Sequence, residues 1–162
     1  MKYEIKLNIK GLLLKYPERA LMILEDEFSK GLDESLGFIM REVVRGTPIF
    51  HGQAAESVFK EIRGSGMYLH GVVASNLNRI GFLEEGIPAH TPNYANLSEW
   101  IRLKLGLTGP HLYAVLQVIS KQIVKRGIKP AFMFKKAWAA GQIEVEKIMK
   151  KVEERVAKHL NE

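Results

Sequence analysis

The sequence predicts an α+β protein: about three to four strands, a long helix near each end, and two shorter helices inserted at 96–126. Three observations predict it. Residues 2–9 set Tyr3, Ile5, Leu7 and Ile9 against Lys2, Glu4, Lys6 and Asn8, the period-two rhythm of a half-exposed strand. Two apolar-rich runs, 58–63 and 67–75, are separated by Gly64-Ser65-Gly66, a plausible hairpin loop. Apolar residues recur every three or four positions from 17 to about 44 and again from 130 to about 160, the spacing of amphipathic helices.

In order along the chain, Gly11 ends the first strand and Pro17-Glu18 opens the first long helix. Proline lacks an N–H that the first turn would leave unsatisfied, and the carboxylate suits the positive helix start. Its stripe is Leu21, Leu24, Phe28, Leu32, Leu36, Ile39 and Val43, with Gly31 and Gly37 as points where it could break. Punctuation follows at 46–53, a short turn at 54–57, and then the hairpin, whose Gly71-Val72-Val73-Ala74 portion is expected in its better-covered middle. Ile80 to Glu84 reads as a short strand or a turn of helix. Pro88 and Pro92 interrupt regular structure.

A helix starting at Asn96 or Leu97 carries Leu97, Trp100, Ile101 and Leu105 and stops at Gly106. The next, 113–124, carries Leu112, Leu116, Ile119 and Ile123, with Gly127 placed as its C-cap. The terminal helix aligns Phe134, Trp138, Gly141, Val145, Ile148, Val152 and Arg155/Val156 opposite a lysine-rich face.

At 162 residues, with 46% apolar content, the chain is sized for a single domain, 1–162, around one core. It has no cysteine, which removes disulfides, thiol chemistry and thiolate metal sites. The alternating start M-K-Y-E-I-K-L-N-I-K does not read as a signal peptide, and a soluble cytoplasmic chain is expected. The net charge of +6 is unevenly placed: residues 1–95 hold 11 Lys/Arg against 12 Asp/Glu, and 96–162 hold 13 against 6. Such a basic third either solvates the surface or faces a polyanion or an acidic partner.

No catalytic, metal or cofactor site is expected. Glu84 and Glu85 are adjacent, and neighbours on a strand point to opposite faces. The histidines His51, His70, His90, His111 and His159 form no ligand spacing, although His51, His90 and Glu85 lie in segments flanking the sheet. Gly64-Ser65-Gly66 precedes a strand, whereas a phosphate loop must open a helix. Ser57, Ser65 and Ser75 lack a nucleophile-elbow setting. Phe132 and Phe134, two apart, cannot both face inward from one regular helix, so one of them covers a loop or anchors a partner. Trp138 is expected in the core.

Four motifs in order carry a family resemblance. The strand ending at Gly11 leads to a helix entered through Tyr16-Pro17-Glu18. T-P-I-F-H-G-Q-A-A-E-S follows, with Pro48, Gly52 and Ser57 matching and Phe50-His51 departing from the usual Asp-Thr. Next come F-L-E-E-G-I-P-A-H, centred on Glu85 and Gly86, and a connector and helix through Trp100-Ile101-Arg102, Lys104 and Gly106. R-G-I-K-P-A-F-M-F-K-K-A, with Gly127, Pro130 and Phe134, leads into the last helix. The chain resembles the HK97 gp10-like family of tailed-bacteriophage neck, tail-completion or minor tail proteins over nearly its whole length.

The resemblance implies a twisted antiparallel sheet against the two long helices. It also implies a non-enzymatic structural role in the virion, after assembly in the bacterial host cytoplasm. The subunit would form or join hexameric or dodecameric rings at the head–tail junction, beside head connector and tail-tube or tail-terminator proteins. On this reading Pro48, Phe50, His51, Gly52, Glu85, Gly86, Pro88, His90, Tyr94, Phe132 and Phe134 are interface residues, and loops 46–53 and 86–96 contribute interfaces, with the 109–130 segment as a further candidate. Lys135, Lys136, Lys147, Lys150, Lys151 and Lys158 would face passing DNA or an acidic partner. The alternative is a nucleic-acid-binding accessory protein that uses the basic C-terminal third.

Overall fold

The computed structural model describes residues 17–48 and 52–161. Helix α1 spans Pro17–Gly46 and the single turn α2 spans Gln53–Glu56. Strands β1 (Val58–Arg63) and β2 (His70–Ser75) form a two-stranded sheet, and helices α3 (Ile80–Glu85), α4 (Tyr94–Leu105), α5 (Gly109–Arg126) and α6 (Met133–Asn161) complete the order. The fold class is the expected one: long helices near both ends pack against a small antiparallel sheet, with shorter helices between. The strand expected at 2–9 lies outside the described residues. Residues 80–85 take the helical of their two readings.

Contacts divide the chain into two compact units. The first comprises residues 17–41, 60–74 and 138–161; the second comprises 42–48, 52–59 and 75–137.

In the first unit α1 and α6 pair through small residues. A Cβ built on Gly31 would stand 2.3 Å from Val152 Cγ2, and one on Gly141 would stand 2.9 Å from Ile39 Cγ1. Ala20, Leu24, Met149, Val152 and Val156 are buried together, with Ile23, Phe28, Leu32 and Val145 packed around them. The seam of α1 therefore runs Ala20, Leu24, Glu27, Gly31, Ser35. Leu21, placed in the stripe by hydropathy, is exposed.

Glu27 is 4% exposed and accepts from Arg155 Nε and, at 3.1 Å, from Lys30 Nζ. The Arg155 hydrogen bond outweighs the cost of burial and holds its carboxyl below the usual glutamate value, with Lys30 adding to the effect. Ser35 Oγ donates to the Gly31 carbonyl at 2.7 Å, which satisfies the other buried polar group of this seam.

The hairpin joins the same unit. Gly71 meets Leu36, where a Cβ would stand 2.6 Å from its Cδ2. Lys60 Nζ pairs with Asp33 at 2.6 Å, and the N–H of Gly66 donates to Glu25 Oε1 at 2.9 Å. The connection is longer than three residues: a 3-10 turn at Gly66–Tyr68 intervenes before β2. Residues 71–74 are half-buried.

Trp138, expected in the core, is 44% exposed. The inward positions at the start of α6 are Met133 and Ala137, so the buried face lies one residue earlier than the aromatic spacing indicates.

The second unit is built around a helical hairpin. Asn93 caps α4 by accepting from the N–H of Asn96 at 3.0 Å, so the helix begins at Tyr94, ahead of the expected start. Gly106, at φ 64°, ends it. In α5, Leu112, Leu116 and Ile123 are buried at the expected spacing together with Ser120. Ile101, Leu112 and Leu116 form the core, flanked by Leu97, Trp100, Leu107, Val115 and Ile119.

Candidate functional site

Two motifs that are distant in sequence meet in the second unit. Ile87 N–H donates to the Ile128 carbonyl at 3.0 Å, and Ile128 N–H returns the bond at 2.8 Å, a mutually bonded antiparallel pair. Each isoleucine follows a glycine with positive φ: Gly86 at 81° and Gly127 at 73°. A Cβ on Gly86 would lie 2.5 Å from the Ile128 carbonyl oxygen, and one on Gly127 would lie 2.0 Å from that of Ile87. The backbones approach this closely only because neither position carries a side chain.

The junction continues into the start of α6. Ala131 N–H donates to the Leu83 carbonyl at 2.9 Å and Phe132 N–H to the Glu84 carbonyl at 3.2 Å. The Glu84 carboxylate then accepts from Phe134 N–H at 2.9 Å and Lys135 N–H at 3.0 Å. These are first-turn N–H groups that have no partner within their helix, and the negative charge stands at the positive end of α6. Phe132, at φ 53°, is the one non-glycine residue with positive φ among the described residues, and the Lys135 ammonium lies 5.3 Å from its ring centroid.

Beside this junction lies an open apolar groove of about 590 Å³. Its lining takes Phe82, Leu83 and Ile87 from α3 and the residues after it, Leu97 and Trp100 from α4, Ile119 and Ile123 from α5, and Ile128 and Ala131 from the segment after α5. Pro48, Gln53 and Ala54 also line it, and an Arg79 guanidinium N–H donates to Gln53 Oε1. Arg79 and Lys129 are the charged residues of the lining, both cationic. Phe82 is 59% and Ile128 42% exposed.

Of the residues expected at interfaces, Pro48 lines the groove, Gly52 takes φ 80° at the start of α2, and Gly86 shapes the junction. Phe132 and Phe134 sit at the junction: Phe132, outside α6 at φ 53°, is exposed, and Phe134, in the first turn of the helix, is half-buried. Pro88 is exposed, and its carbonyl accepts from His90 Nδ1 at 2.8 Å. Tyr94 is exposed at the first position of α4. Phe50 and His51 lie outside the described residues. Glu85 is exposed, and the residue that ties the loop down is its neighbour Glu84.

Lys135, Lys136, Lys147, Lys150, Lys151 and Lys158 are all exposed along α6, with Lys147 pairing to Glu144 at 3.2 Å. The first two belong to the second unit and the other four to the first. Among the described residues, no group of three His, Cys, Asp or Glu could hold a metal ion, and no helix is long and apolar enough to cross a membrane.

Sequence reasoning missed the groove because its lining comes from five separated stretches. It also passed over Glu84, whose signal is the position of a carboxylate able to reach the start of α6. Fold and site together define an α+β chain with an open, cation-edged apolar groove. Comparison with protein-family models, curated proteins and solved structures found no match to this chain.

Proposed function

We propose that this chain is a structural protein of a tailed-phage or prophage particle that completes the neck or tail end by forming or joining rings at the head–tail junction. One observation supports this reading above the others. Two of the motifs that carry the resemblance, around Glu85-Gly86 and around Gly127-Pro130-Phe134, belong to a single backbone junction. Residues 41 positions apart in the chain thus make one physical feature, bordered by exposed apolar side chains of the kind that subunit contacts bury. The mechanism is ordered association, in which repeated modest contacts around a symmetric ring give a joint of high avidity.

A second reading is supported by the exposure of all six lysines: a nucleic-acid-binding accessory protein. Against it, α6 carries seven Lys/Arg interleaved with four Glu, which dilutes the field that a phosphate backbone would meet.

Mass by light scattering separates the two, measured on the chain alone and mixed with a head connector or tail-tube protein, at low and moderate salt. A discrete multimer, formed alone or with the partner, is the expected result. A single chain that ignores those proteins but binds duplex DNA with steep salt dependence would overturn the structural reading in favour of the second.

A further inference from the structure

We infer that the groove of one copy receives the start of α1 from another copy, a head-to-tail contact between two different surfaces of the same chain. Phe82 and Ile128, both in the groove lining, are 59% and 42% exposed. The groove is apolar along its length, and its charged lining groups, Arg79 and Lys129, are both positive. Its occupant therefore carries exposed apolar side chains in an acidic frame.

The chain offers such a segment. Met22 is 72% exposed and Leu21 44%. Glu18 lies one turn before them and Glu25 and Asp26 one turn after, on the same side of α1; Arg19 and Lys30 are the opposing charges, Lys30 pairing with Asp26 at 2.6 Å while Glu25 accepts from Gly66 N–H. Four other exposed apolar side chains stand in basic surroundings, and Ile143, with Glu144 and Glu146 beside it, has Lys147 one turn on. Leu103 and Leu105 flank Lys104 and follow Arg102, and Val118 and Val124 stand beside Lys121 and Lys125. Burying the two apolar side chains removes them from water while the acidic residues around them meet Arg79 and Lys129, which favours this partner over basic ones. Both surfaces are present on every copy and differ from each other, so the contact repeats from chain to chain and closes a ring when the rotation allows.

The inference rests on the self-association contained in the proposed function. A chain that binds a connector or tail protein while remaining single by itself would overturn it and leave that reading standing.

The test uses the full chain and two variants, Leu21→Ser with Met22→Ser, and Phe82→Ser, all at exposed positions whose substitution leaves the fold intact by circular dichroism. The parent's scattering mass is expected to rise with concentration. Each variant is expected to weaken that association by at least about tenfold. Mixed together, the variants retain one working groove and one working α1 start per pair. They are therefore expected to form a two-chain species and nothing larger. Arg79→Glu, an exposed charge reversal, is expected to weaken association as well. A parent that stays single, a variant that associates like the parent, or a mixture that stays single would each overturn the contact.

Discussion

The carboxylate of Glu84 accepts the backbone N–H of Phe134 at 2.9 Å across 50 residues of sequence. With its bond from Lys135 N–H it caps α6 from another helix instead of from the preceding residue. Glu84→Ala is expected to cost about 1–2 kcal/mol, the scale of a lost helix cap made by a charged acceptor. Glu85→Ala, at an exposed position beside it, is expected to stay within about 0.5 kcal/mol. Urea unfolding of the two variants checks the contrast, and equal costs would show that Glu84 does not act as a cap.

Gly127→Ala places a methyl group 2.0 Å from the Ile87 carbonyl oxygen at a backbone φ of 73°. The bridge must open or the backbone must rotate, at an expected cost of about 2 kcal/mol or more. Gly106, also at positive φ, has nothing within 4 Å of a built Cβ. Gly106→Ala is therefore expected to lose only the conformational part, and the difference between the two melting shifts isolates the close approach.

Gly31→Ala drives a methyl group to within 2.3 Å of Val152 Cγ2, inside the first unit's core. Overpacking of this kind costs about 1–3 kcal/mol. Combining it with Val152→Ala is expected to recover part of the loss, giving a coupling of roughly 0.5–3 kcal/mol in a double-mutant cycle. Purely additive costs would mean that the two residues do not share this space.

The Glu27–Arg155 pair predicts an acid-dependent loss of stability. The folded-state pKa of Glu27 lies below its ordinary value of 4.5, chiefly through the Arg155 hydrogen bond and secondarily through Lys30. The unfolded chain therefore binds this proton at a higher pH than the folded chain does. The contribution is fully present above about pH 4.5 and is lost as pH falls through the lower, folded-state value. Glu27→Gln is expected to be less stable than the parent at pH 7 by about 1.5–3 kcal/mol, the worth of a hydrogen bond to a charged group, with a flatter stability profile as pH falls below 4.5. Chemical denaturation at half-unit pH steps reads both effects. Parallel profiles for parent and variant would remove Glu27 from the acid response.

Much of the secondary structure was legible in the sequence. Gly106 and Gly127 end α4 and α5 where their sequence positions indicated, and Leu112, Leu116 and Ile123 are buried at the expected spacing. Legibility failed where burial is decided by closeness of approach. Of the expected α1 stripe, Leu24, Leu36, Ile39 and Val43 are buried, but the buried face also takes in Ala20, Glu27, Gly31 and Ser35. A hydropathy pattern weights these small or polar residues lightly, so it put Leu21 inward. Trp138 was misplaced for the same reason, because a large aromatic dominates the spacing while Met133 and Ala137 occupy the inward positions.

The sequence by itself determined the local periods, the chain breaks at glycine and proline, the α+β class and the uneven charge, all properties of neighbours within a few residues. Only the tertiary structure decided that Gly86 and Gly127 face the same bridge and that Glu84 caps a helix starting 49 residues later. It alone assembled a groove from Pro48, Phe82, Trp100, Ile119 and Ile128. Each depends on which backbones come within a few ångströms of one another, and that is settled by how side chains fill shared space, a quantity no local pattern encodes.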